Sequence, residues 1–234
     1  MCLAQRPGAV ASDKHYMDGT MRLNATALFL TAALAGLIVG CSSSPKTPSG
    51  ETKKAETPAP KPPELDTGRV AFQRLYIAAR SWAPDSRPFR LESEPTKEAT
   101  GTDGKAGVWR GSFASLARRS VKPFLWSGIT SDNAPARGVT PGTEDTFNPN
   151  NTSTQPFDFA FLKVDSDKAF EVAQEHGGKK LTEKAGDQPI KYELDWVPRT
   201  NQLIWHVVYG STDADAKLRV DVDASTGLYL RLEK

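Results

Sequence analysis

Ile190-Lys191-Tyr192-Glu193-Leu194-Asp195-Trp196 carries the strongest structural signal in this chain. Apolar and charged residues alternate without a break, and a period of two marks a strand with one face in a core and the other turned outward. The pattern recurs close by. Leu203, Trp205, Val207 and Tyr209 alternate next, and Leu218, Val220 and Val222 alternate with Arg219 and Asp221. Asp223-Ala224-Ser225-Thr226-Gly227 has the composition of a tight turn, which sends Leu228 to Leu232 back as a final strand. Upstream, Asp165 can cap a helix carrying Ala169, Phe170, Val172, Ala173 and His176, with Gly177 placed to end it. A helix followed by half-buried antiparallel strands is an α+β arrangement.

The same order is legible earlier. Asp66 or Thr67 can cap a helix whose apolar stripe is Phe72, Leu75, Ala79 and Trp82, with Arg69, Gln73, Arg74 and Arg80 off the stripe. Pro84 stops it by disfavouring helical geometry at Ala83. Strands follow at Phe89 to Ser93, Gly107 to Phe113 and Val121 to Trp126. Val108-Trp109-Arg110-Gly111-Ser112-Phe113-Ala114-Ser115 aligns with Ile204-Trp205-His206-Val207-Val208-Tyr209-Gly210-Ser211, and Ala71-Phe72 with Ala169-Phe170. These matches predict an internal repeat: two αβββ units, each a three-stranded antiparallel sheet with a helix on one face and a tryptophan as its anchor. The first spans residues 66–126 and the second 162–234. Residues 127–161 between them hold few aliphatics and are expected to form a long linker or loop.

The N-terminal part reads differently. The apolar run Ala25 to Gly40 has the length of a secretory core and is short for a membrane span. Ile38-Val39-Gly40-Cys41 resembles the lipobox of bacterial lipoproteins at all four positions. That resemblance implies a signal peptide over residues 1–40, with 1–20 an over-extended start before Met21. It also implies lipidation (palmitate and its like) of Cys41 as the new N-terminus, and so membrane attachment through the lipid. By the family's sorting rule, Ser42 points to the outer membrane, facing the periplasm, if the host is Gram-negative. Residues 41–65 then form the anchor and a tether, kept extended and solvated by Pro45, Pro48, Pro58, Pro60, Pro62 and Pro63.

The second unit resembles a PepSY domain. Lys168-Ala169-Phe170-Glu171-Val172-Ala173 stands where that family has its short helix, and Val220-Asp221-Val222-Asp223-Ala224-Ser225-Thr226-Gly227 stands at its last hairpin. The first unit lacks the Asp-x-x-Thr-Gly turn and is at best a divergent copy. The resemblance implies a non-catalytic envelope module, of a kind associated with restraint of peptidases and with sensing.

Composition narrows the chemistry further. A net charge of +2 in 234 residues, barely altered by loss of the first 40, gives no basic excess for nucleic acid. Apart from Cys41 the only cysteine is Cys2, so a thiol nucleophile, a disulfide and a cysteine metal site are excluded for the processed chain. His176-Gly177-Gly178 matches an esterase oxyanion loop, but the chain has no Gly-x-Ser-x-Gly elbow to go with it. Asp221, Asp223 and Ser225 occupy positions 1, 3 and 5 of a calcium-loop spacing; Thr226 and Leu232 stand where an EF-hand needs Gly and Glu, so a turn is the better account. The aromatic residues belong mostly to core faces. Trp126, at the mouth of the long loop, and His206, expected on a solvated outer face, are the residues put forward for ligand contact. No catalytic residue, cofactor or metal is predicted. The expected function is a non-enzymatic binding module in the cell envelope, restraining a peptidase or sensing a ligand. The alternative is a structural lipoprotein that scaffolds assembly factors through residues 127–156.

Overall fold

The alternating segments pair into one antiparallel sheet. In a computed structural model, residues 61–150 and 152–233 are described; Cys41, the apolar run and the tether as far as residue 60 lie outside the described residues. A two-residue strand β1 (Asp66–Thr67) leads into α1 (Gly68–Trp82), and β2 (Arg87–Ser93) follows. The short β3 (Lys105–Ala106) pairs with β1, after which come β4 (Val108–Ser115), β5 (Ser120–Ser127), β6 (Gly138–Pro141) and β7 (Asp145–Thr146). The chain then forms α2 (Ser166–Ala173), α3 (Lys179–Ala185), β8 (Ile190–Val197), β9 (Gln202–Tyr209), β10 (Arg219–Asp223) and β11 (Tyr229–Glu233). The main sheet runs β11-β10-β9-β8-β2-β4-β5-β6, with β7 also on β5, and every strand pair in it is antiparallel. No helix among the described residues is long and apolar enough to cross a membrane.

The fold is therefore α+β, and the two strand runs, whose relative packing the sequence left open, lie in one sheet. β2 and β8 pair through Arg90↔Asp195, Leu91↔Leu194 and Glu92↔Glu193, joining both strand runs into one layer. The reason is the cost of an edge. Standing alone, each of these strands would leave a row of backbone donors and acceptors unpaired; joined, both edges vanish. The second run also has four strands rather than three.

Residues 127–156 are not a free linker either. β6 and β7 both pair with β5, Ile129 and Phe147 are buried, and Phe157 just beyond them is buried too. A few large apolar side chains suffice to dock a segment whose overall composition is polar. The end of the tether is docked as well: Glu64 N–H donates to Gly128 O, and Arg137 Nη1 donates to the carbonyls of Lys61 and Pro62.

α1 lays Phe72, Leu75 and Ala79, all fully buried, across the sheet face formed by Trp109, Phe113, Phe124 and Trp126. Its stripe is the one the sequence predicts, and Arg74 lies over the Trp126 ring while pairing with Glu64 and Asp66. The helix start is capped from the other half of the chain. Thr67, at the N-cap position, makes no cap bond of its own. Instead Asp165 Oδ1 accepts from Arg69 N at 2.8 Å and Ser166 Oγ accepts from Gly68 N at 2.8 Å. Asp165 Oδ1 also accepts from Ser166 N, so one carboxylate serves the first turns of α1 and α2 together.

Trp109 and Trp205 meet edge to face at 6.4 Å and are both fully buried. Their indole N–H groups donate to Asp66 O at 3.0 Å and to Val164 O at 2.9 Å. Both indoles converge on Gly68, where an added Cβ would lie 2.5 Å from Trp205. Only glycine lets α1 begin so close to the sheet. The helix α2 stops where the sequence places its stop: within the turn Gln174–Gly178, His176 and Gly177 leave helical geometry, Gly177 at φ +115°, and α3 begins as a separate helix beyond the kink. The turn carries a polar tie, Gln174 Nε2 donating to Tyr209 Oη.

Candidate functional site

β9 sends Leu203, Trp205, Val207 and Tyr209 into the helix-covered core. By strand alternation Ile204, His206 and Val208 project from the other face, where the sheet carries no helix-side core residue. The register places His206 directly between Glu193 on β8 and Asp221 on β10. His206 Nδ1 bonds Asp221 Oδ1 at 2.5 Å and its Nε2 bonds Asp195 Oδ1 at 3.3 Å. Charges extend the network on both sides. Arg90 Nη2 donates to Asp195 Oδ2 at 2.8 Å, and Arg231 Nε donates to Asp221 Oδ2 at 2.8 Å. Lys191 pairs with Glu193, and Arg219 reaches Asp221 at 3.6 Å.

His206 is thus not a surface histidine: it is 3 % exposed, with Asp221 at 1 %. The face is closed over by its own charged residues. Long arginine and lysine stems lie along it and keep only their heads near water. Burial alone would drive the His206 imidazole toward its neutral form, but the bonds to Asp195 and Asp221 outweigh it and raise its pKa. Burial likewise pushes Asp195 and Asp221 upward, and the bonds and charge of His206, with the nearby arginines, bring both below the ordinary carboxylate value. The three groups favour a cation between two anions.

That arrangement limits the chemistry. A general base needs a lone pair aimed at a reacting proton. Here both ring nitrogens of His206 are turned to carboxylates. The Asp221 oxygens are taken by His206 and Arg231, and those of Asp195 by His206 and Arg90. The Asp223 Oδ1 accepts from Ser225 N and Thr226 N, closing the turn the sequence predicts, while its Oδ2 accepts from Gln202. The calcium-like spacing of Asp221 and Asp223 is thereby spent on other partners. No group of three or more potential metal ligands occurs among the described residues.

Trp126 does not offer a ligand platform. It is 1 % exposed, part of the core under α1, with its face toward the Arg74 guanidinium. The long loop 127–156, at whose mouth it was expected to stand, instead returns to β5 through β6 and β7.

Two open grooves mark the surface, and one of them reaches the network through Arg231. One, of about 680 Å³, lies by the β8–β9 turn and is lined by Thr152, Val197, Pro198, Arg199, Thr200 and Arg231 among others. The second, of about 620 Å³, is bordered by Glu94, Lys97, Glu98, Ser131 and Asp132. In it the Glu98 carboxyl is held below its ordinary value by its own backbone N–H and by Thr96 and Ser131, so this acid is already satisfied by its surroundings.

Asp195, Arg90 and Arg231 have no motif in the sequence. Their one signal is parity: Asp195 alternates opposite to Trp196, His206 opposite to Trp205, and Asp221 opposite to Val220 and Val222. Parity gives the face; only the register gives the neighbours. No family model matches the chain, and neither the curated proteins nor the solved structures give a match.

Proposed function

We propose that this chain is an envelope lipoprotein, attached through Cys41, whose folded part is a binding module that performs no chemistry of its own. The observation that carries the reading is the commitment of both His206 nitrogens to Asp195 and Asp221, which leaves the most reactive-looking cluster of the described residues without a free base. The lipobox resemblance of Ile38 to Cys41 supports the anchor, and the PepSY resemblance of residues 163–234 supports binding over catalysis.

The duplicated αβββ unit is part of the same proposal. Trp109 and Trp205 make corresponding bonds, each to a backbone carbonyl just before a helix, and Gly68 and Ser166 stand at the matching helix starts. Two copies joined through their first strands, β2 and β8, fit one sheet as well as they fit two. The scaffold alternative gains nothing comparable, because residues 127–156 commit Ile129 and Phe147 to the core.

The test is crosslinking of the lipidated protein in its native envelope, with mass spectrometry of the captured species. Repeated capture of a peptidase or of one defined ligand-bearing partner is expected. A hydrolytic activity of the purified chain that disappears in Asp195→Asn or Asp221→Asn, with the fold intact, overturns the reading.

A further inference from the structure

Arg231 is held unusually for a half-exposed arginine. Its Nε alone makes the ion pairs, to Asp221 Oδ2 at 2.8 Å and to Glu233 Oε1 at 2.9 Å. Asp221 is itself fixed by His206, and His206 by Asp195. A buried chain of three residues therefore anchors the base of this guanidinium. Its Nη1 and Nη2 have no partner among the described residues, and Arg231 lines the groove at the β8–β9 turn. Arg199 lines the same groove, is exposed, and forms no ion pair among the described residues. Thr152 and Thr200 add hydroxyls at its rim, and Val197 and Pro198 add an apolar wall. Two guanidinium groups facing one groove, one of them pre-aimed, make a receptor for an oxyanion: the fork matches two oxygens of a carboxylate or phosphate, and anchoring lowers the entropy cost of the contact.

We propose that this groove binds an oxyanionic group, carboxylate or phosphate, through Arg231 and Arg199, with the Asp195–His206–Asp221 chain as the device that positions Arg231. The proposal rests on the binding-module reading and gives that module a ligand class. Arg231 takes the oxyanion through its terminal nitrogens without giving up Asp221. Arg199, with no competing acid among the described residues, swings onto the second side. Asp195, His206 and Asp221 are positioning residues and do not touch the ligand.

The full chain is titrated by calorimetry with inorganic phosphate and, separately, with succinate, at constant ionic strength. The expected result is saturable one-to-one binding of at least one probe, weakened about tenfold or more by Arg199→Gln and by Arg231→Lys, which keeps a cation for Asp221 but loses the fork. The probe that binds names the source of the oxyanion. Arg199→Gln removes an exposed side chain without an ion pair among the described residues, so its melting temperature is expected to match the parent, and weak binding is then not misfolding. Saturation by neither probe, or parental affinity in either variant, overturns the site. A chain that captures a partner in the envelope yet ignores both probes loses this site and keeps the binding-module reading.

Discussion

β9 is buried on both sides, by opposite means. On the helix side Trp205, Val207 and Tyr209 lie in an apolar core with Trp109, Tyr192 and Val220. On the other side His206 is as inaccessible as they are, yet its neighbours are Asp195, Asp221, Glu193 and three arginines. The first face gains stability from area removed from water and is indifferent to pH. The second has paid desolvation for several ions and recovers it only while each keeps its counter-charge. One face tolerates exchange of shape for similar shape. The other is less forgiving, because removing one member takes a counter-charge from every buried ion it touched.

Truncation separates the two faces most strongly. Trp205→Ala is expected to cost about 4 kcal/mol, from lost burial and the cavity left against Trp109 and Gly68. Urea unfolding checks this, and Trp205→Phe should recover a large part of the loss. On the charged face His206→Gln is expected to cost about 3 kcal/mol, since Asp195 and Asp221 are then left as facing anions. A cost below about 1 kcal/mol would mean that the face is solvated after all.

The same variant carries the pH contrast. The folded-state pKa of His206 is raised, so its contribution is complete below the unfolded value of about 6.5 and is lost as pH rises through the folded one. Asp195 and Asp221 are lowered, so theirs is complete above about 3.9 and is lost as pH falls through the folded values. Stability of the parent should therefore peak between these limits and decline on the alkaline side, measured as the urea midpoint against pH. In His206→Gln the alkaline decline is expected to disappear.

Gly68→Ala tests the apolar face from the backbone side. The new Cβ would meet the Trp205 ring at 2.5 Å and must push the two indoles apart, for a cost of about 1 to 3 kcal/mol. The smallest effect belongs to the periphery. Glu64→Gln breaks an exposed pair with Arg74, which keeps Asp66, and should change stability by less than about 0.5 kcal/mol.

The contrast between the faces also marks what could be read from the residues. Alternation at Ile190 to Trp196 and Leu203 to Tyr209 shows strands, and which side of each is apolar, because a period of two needs no knowledge of neighbours. The stripe Phe72, Leu75, Ala79 shows α1 for the same reason. The join between β2 and β8 was hidden, since pairing is a long-range choice driven by edge protection and leaves no local trace. The burial of His206 was hidden likewise: a histidine among outward residues looks solvated until the register sets acids on both sides and arginines across the top. Gly177 was legible as a stop, since only glycine takes its φ of +115° without strain, whereas α3 beyond it carries no buried residue and so no apolar stripe to announce it.

The charged face turns on the protonation of one ring. Nitrogen-15 NMR of the His206 imidazole across pH 5 to 9 reads it directly. A cation held between Asp195 and Asp221 shows both nitrogens protonated together, with a midpoint above the ordinary value of about 6.5. A midpoint at or below that value, with one nitrogen already bare near neutrality, would contradict the clamp and return to this face the free base that a catalytic site needs.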